Sequence, residues 1–238
     1  MTSLAQLKRD LRKHASKEKA LLLSRFFKTG KGQYGEGDVF IGVTVPNTRS
    51  VATAHRDLSL TDVKELLASP VHEERLCALL LLVHNFERGD VKTRTAIYRL
   101  YLSHTKYINN WDLVDLSAPN IVGRYLVDHA GWRPVLTKLA RSRNLWERRI
   151  AILATLAFTY NGNATPALTI AKLLLHDDHD LIHKAVGWML REVGKRVSQP
   201  ELERFLGRYA RTMPRTMLRY AIERFPKALR QRYLSGSI

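Results

Sequence analysis

The chain has 238 residues, enough for one large domain or an elongated repeat array with a continuous core. Its 39 Lys and Arg against 22 Asp and Glu leave a formal net charge of +17, a self-repulsion that a polyanionic partner would relieve. Nucleic acid leads, because Lys and Arg contacts to phosphates release condensed counterions. An anionic membrane surface is the alternative, and a plain protein scaffold requires no such bias.

Helical periodicity runs from end to end. Lys8 and Arg9 are followed by no long uncharged apolar run, so no secretory signal is expected. Gly30-Lys31-Gly32-Gln33-Tyr34-Gly35 fits G-x-G-x-x-G. An amphipathic helix precedes it and an extended connector, Val39 to Val45, follows, which is the wrong context for a dinucleotide site. Val63, Leu66 and Leu67 repeat at helical spacing. The longest apolar stretch, Leu76 to Val83, is far too short to span a bilayer. It holds the single cysteine, Cys77, which excludes an internal disulfide and a cysteine-based zinc finger and reads as a small buried residue.

Helix breaks are expected near Gly30 to Pro46, Ser69-Pro70, Gly89, Pro119, Gly131 to Pro134, Asn161 to Pro166, Pro200, Pro214 and Pro226. That leaves roughly a dozen helices joined by short turns. His176-Asp177-Asp178-His179-Asp180 with His183 has ligand-type residues, but its acids also suit a helix start, and no metal is expected there. The reading is of an intracellular protein with no membrane partner and no cofactor, a monomer by default.

Segments beginning near Glu73, Glu147, Ile182 and Met217 share one pattern, a basic residue entering an apolar helix. Arg149, Lys184 and Arg219 stand 35 residues apart, and Arg75 lies 74 before Arg149. Such a period is that of two-helix solenoid repeats. Arg75, Arg149, Lys184 and Arg219 would then recur along one face, giving a basic groove. At the midpoint stands Trp111-Asp112-Leu113-Val114-Asp115, with Trp111 and Asp115 on one helical face. Spacing alone leaves Trp111 and Trp188 readable as core residues and Asp115 as a solvated or capping acid.

The run Trp111-Asp112-Leu113-Val114-Asp115 resembles the signature of the AlkD-like DNA alkylation repair family. Four further segments resemble that family's motifs in the same order. They are Gln33 to Asp38 with Gly42 to Pro46 and Arg49, Trp146 to Ala151, Lys184 to Trp188, and Met213 to Ala221. The resemblance implies an all-α, HEAT-like helical-repeat solenoid over residues 1–238, its concave face clasping double-stranded DNA. It also implies an N-glycosylase that removes cationic N3- and N7-alkylated purines, with the damaged nucleotide left stacked. The catalytic aspartate would be Asp115, the aromatic pair Trp111 and Trp188, and the arginine Arg149, with Arg148 the alternative register.

The chemistry accords with that assignment. Alkylation at N7 of guanine or N3 of adenine makes the base a good leaving group without protonation, so no general acid is needed. Asp115 near C1′ would stabilise oxocarbenium character and orient a water. The two indoles suit a cationic lesion, at about 1–2 kcal/mol each when desolvated. Arg149 would pin a backbone phosphate. Arg148, Lys184, Arg191, Arg219 and Arg75 complete the expected DNA contacts. No lysine stands out as a Schiff-base nucleophile, so a monofunctional glycosylase is expected. The alternatives are a non-catalytic module of the same fold that binds damaged or branched DNA, and a protein–protein scaffold.

Overall fold

A computed structural model describes residues 3–238. Among them all regular structure is helical, apart from one isolated parallel bridge between Val39 and Val71. Residues up to Ser117 form one compact unit and Ala118–Ile238 a second.

The first unit comprises α1 (Leu4–Lys13), α2 (Lys17–Phe26), α3 (Val45–Ala54), α4 (Leu60–Leu67), α5 (His72–Arg88), α6 (Val91–Ser103), a 3-10 turn (Thr105–Tyr107) and α7 (Trp111–Ser117). Serines at 3, 16 and 59 cap α1, α2 and α4 by accepting from backbone N–H groups, and Asp90 does so for α6. α5 is the unit's centre. Leu76 to Leu82 are all buried, so its apolar character runs right round the helix, and α3, α4, α6 and α7 pack against it. The longest apolar run of the chain is therefore core, and among the described residues no helix is long and apolar enough to cross a membrane.

The expected connector between α2 and α3 is extended and tied down. Its Ile41, Gly42 and Val43 amides all donate to the buried Glu73 carboxylate on α5, at 2.7–3.2 Å. Gly42 has φ +81°, and a Cβ there would stand 2.1 Å from the Ser16 carbonyl oxygen.

The second unit opens with a π-helical turn (Pro119–Gly123), then α8 (Arg124–Asp128), α9 (Trp132–Ala140), α10 (Leu145–Tyr160), α11 (Thr165–Leu173), α12 (Asp180–Arg196), α13 (Gln199–Tyr209), α14 (Arg215–Ala221) and α15 (Lys227–Ser235). Pro119, expected to break a helix, instead begins the widened turn, closed by a 2.9 Å bond from the Gly123 N–H to the Ala118 carbonyl. α10, α12 and α14 pack successively, with α9, α11 and α13 against them, the two-layer pattern of a helical repeat. The 35-residue phase is exact in register: Arg149, Lys184 and Arg219 are each the fifth residue of their helices. Gly187 permits the closest approach in this stack, since a Cβ there would lie 2.5 Å from the Met217 carbonyl oxygen.

The His176–His183 run builds a helix end. His179 caps α12 by accepting from the Leu181 N–H, Asp177 accepts from the His179 N–H, and Asp180 pairs with Lys184. Burial lowers the His179 pKa.

Gly42→Ala combines left-handed strain with a backbone clash. It is expected to lower stability by about 2 kcal/mol or more, read from the urea midpoint, and an unchanged midpoint would refute the tight seat of the connector.

Candidate active site

α7 has only seven residues, and its sequence divides its faces sharply. Leu113, Val114 and Ser117 are buried, while Trp111 and Asp115, one turn apart, are half-buried. The Trp111 N–H donates to the Asn110 side-chain oxygen at 2.9 Å. The indole stacks on Phe27 with centroids 5.2 Å apart and meets the exposed Phe26 edge-on. Phe27 stacks in turn on Phe40, and Phe40 on His72 at 4.4 Å. At the other end of α7 the Tyr101 hydroxyl and Ser117 Oγ share a 2.9 Å hydrogen bond. Burial, with the Asp115 charge adding to it, pushes the Tyr101 pKa up.

Beneath α7 lies a polar network that spacing did not reveal. The Asp38 carboxylate faces four donors: His72 Nδ1 at 3.0 Å, Arg75 at 2.6 Å, Asn109 at 3.1 Å and Asn110 at 3.3 Å. His72 Nε2 stands 2.8 Å from Asp112 Oδ2, in the first turn of α7. Burial opposes the Asp38 charge, yet its hydrogen bond to His72 and the Arg75 charge prevail, and its pKa is lowered. Burial likewise opposes the His72 charge, but the bonds to Asp112 and Asp38 prevail and its pKa is raised. The sequence signals were present but without a role. Asp112 sits inside the motif that drew attention to Asp115, and Asp38 ends the Gln33 to Asp38 segment. Beside this ladder, a cavity of about 380 Å³ is walled by Leu22, Phe27, Phe40, Val43, Val45 and Leu76. Cys77 is buried, its thiol pushed up to about 12 by burial, and it takes no part.

The second unit carries the other residues singled out from the sequence. Trp188 is half-buried on α12. Arg149 is buried and donates to the Leu181 carbonyl, fastening α10 to α12. Its neighbour Arg148 is paired with Asp177 at 2.6 Å and donates to the Ser142 and Arg143 carbonyls. Arg191 is bonded to Glu223, Lys184 is paired with Asp180 at 2.7 Å, and Arg219 is exposed.

Arg75 departs from the expectation of a DNA-facing cation. It is the fourth residue of α5, one position out of the register of the other three, and it is buried. Its guanidinium bonds Asp38 and the Ser69 and Pro70 carbonyls, so it braces the fold. Arg75→Met should cost about 3 kcal/mol by stranding the Asp38 charge, while leaving the salt dependence of DNA binding unaltered. A flatter dependence of log Kd on log salt would return Arg75 to the DNA-contacting set.

Two of three comparisons match this chain to known proteins. The family model described as DNA alkylation repair enzyme matches residues 7–225. Among solved structures, a predicted DNA alkylation repair enzyme from Enterococcus faecalis superposes with a TM-score of 0.70 at 17% identity, over 90% of this chain and 98% of that one. No curated protein matches the sequence. At that identity the structural likeness speaks for the fold, an all-α helical repeat. The family match spans nearly the whole chain, and the protein therefore belongs to the DNA alkylation repair enzyme family.

Proposed function

We propose that this protein is a DNA glycosylase that hydrolyses the N-glycosidic bond of cationic N3- and N7-alkylated purines in duplex DNA. One observation carries the reading: α7 presents Trp111 and Asp115 on one half-buried face, in a chain of this family with a net charge of +17.

The alkylated base departs with its bonding electrons and becomes neutral, leaving positive charge at C1′ and the ring oxygen of the sugar. The Asp115 carboxylate stabilises that charge and orients the water that attacks C1′, and the proton shed by that water as the new C–O bond forms passes to solvent. The Trp111 indole, held by its stack on Phe27, offers a π face to the cationic lesion, and the family resemblance alone assigns Trp188 as the second indole. No general acid enters, so lesions already charged are favoured over neutral damage.

Phosphate contacts are assigned first to Arg219, which is exposed, and to Lys184, whose pair with Asp180 lies at the surface and exchanges readily for a phosphate. Arg148, Arg149 and Arg191 are held by intramolecular partners, and contact with DNA requires those bonds to be exchanged. The protein acts as a monomer on intracellular DNA, without metal or cofactor.

The decisive measurement uses duplex DNA with a single N7-methylguanine, followed by alkaline cleavage at the abasic site. Wild type should excise, and Asp115→Asn should slow excision by about 10²–10³ with DNA affinity retained. Equal rates would remove Asp115 from catalysis. No excision of any cationic lesion by wild type would favour a module that binds damaged or branched DNA. Separately, Lys184→Ala and Arg219→Ala should each reduce the salt slope of duplex binding by about 1. An unchanged slope in both would place the DNA on another surface.

A further inference from the structure

We propose that Asp38, His72 and Asp112 form a positioning clamp that fixes the start of α7, and with it the aim of Trp111 and Asp115, during excision; this rests on the glycosylase reading above. None of the three is assigned a role by the carboxylate-and-indole chemistry.

The geometry is specific. His72 opens α5, its side chain is 2% exposed, and each ring nitrogen faces a carboxylate oxygen, at 3.0 Å from Asp38 and 2.8 Å from Asp112. Carboxylates only accept, and a neutral imidazole carries a single N–H. Both contacts are made together only by the imidazolium. The set of Asp38, Asp112, His72 and Arg75 is then neutral as a whole. Glu73, the next residue, turns to the connector amides. The rings of Phe27 and Phe40 cover His72, so the charged groups around it are Asp38, Asp112 and Arg75.

Its consequence falls on α7. A helix of seven residues has little stiffness of its own. Asp112 lies next to Trp111 and three residues before Asp115, so the His72–Asp112 bond sets the rotation of the face that carries both. Asn109 and Asn110, immediately before α7, are bonded to Asp38 in the same network. Deprotonating His72 leaves a single N–H between two carboxylates; Asp38 keeps Arg75, Asn109 and Asn110, whereas Asp112 loses its donor whenever that N–H turns to Asp38, and the rotation is freed. Since the folded pKa is raised, the clamp is complete below the ordinary histidine value of about 6.5 and is lost as pH rises through the folded value.

The test follows single-turnover excision of N7-methylguanine from duplex DNA against pH, alongside duplex affinity and the thermal midpoint. His72→Gln should slow excision about ten- to a hundredfold, keep duplex affinity, and abolish the alkaline limb of the wild-type profile. Asp112→Asn keeps an acceptor but loses a charge. It should move that limb to lower pH, and it serves as the readout if His72→Gln does not fold. Profiles that superimpose on wild type, or a rate loss matched by equal losses of affinity and thermal midpoint, would overturn the clamp.

Histidine ¹⁵N NMR of the intact chain, read just above the ordinary histidine value of about 6.5, separates this idea from the glycosylase reading. His72 should remain doubly protonated. A singly protonated ring would sink the clamp whatever the excision result. A doubly protonated ring in a wild-type protein that excises nothing would sink the glycosylase reading alone.

Discussion

Four side chains converge on the Asp38 carboxylate, and most of what is distinctive about the first unit depends on that convergence. A buried carboxylate is tolerated only when its lone pairs are met and its charge is balanced. Here the donors come from the head of α5 and from the residues just before α7, while Asp38 itself belongs to the long segment after α2. One carboxylate therefore ties together three stretches of chain, alongside the aromatic ladder of Phe27, Phe40 and His72. The Glu73 carboxylate does the same a few residues further along, collecting three successive connector amides. Ordering eighteen residues without helix or strand costs conformational entropy of about 1–2 kcal/mol each. Two buried carboxylates, with Phe27, Phe40 and Val43 in the core, supply the opposing terms.

The second unit is organised differently. Its regularity is one of register, with the same fifth position occupied by a cation in α10, α12 and α14. The three cations meet different fates. Arg149 turns inward to the Leu181 carbonyl, Lys184 pairs with Asp180 one turn before it, and Arg219 stands exposed. Moving along the stack, the repeated residue passes from a structural tie to a solvated charge. A repeat preserves where a side chain starts. The neighbours decide what it bonds to, and those neighbours are not repeated.

That difference explains what was legible in the sequence. Helices α5, α10 and α12 were readable because apolar periodicity is a local signal, and the connector because its alternating apolar residues lie between glycines and Pro46. The rungs at 35-residue spacing were readable as positions. Asp38, His72 and Asp112 were not, because their partners lie 34 and 40 residues apart and leave no periodic trace. Arg75 misled for a related reason. It shares the local pattern of the others, but it lies at the head of α5, where Asp38 and the Ser69 and Pro70 carbonyls meet its guanidinium. Proline removes a donor, which predicts a stop at Pro119, yet a widened turn absorbs it.

The proposed chemistry places an unusual demand on a short helix. A general acid or base works over a range of approach, because its proton can be relayed through water. A carboxylate that stabilises charge at C1′ works by position alone, and its benefit comes from dipoles and charges already oriented when the bond breaks. α7 is too short to hold Asp115 still by its own hydrogen bonds alone, and Leu113 and Val114 seat its inner face in the core. The aromatic ladder from Trp111 through Phe27 and Phe40 to His72 braces one side of the helix, and the His72–Asp112 bond braces its first turn. The ladder and the bond end on the same imidazole. On that proposed chemistry, the rigidity that Asp115 would require comes from outside α7, from the cluster of Asp38, His72, Asp112 and Arg75, whose charges would cancel with His72 protonated.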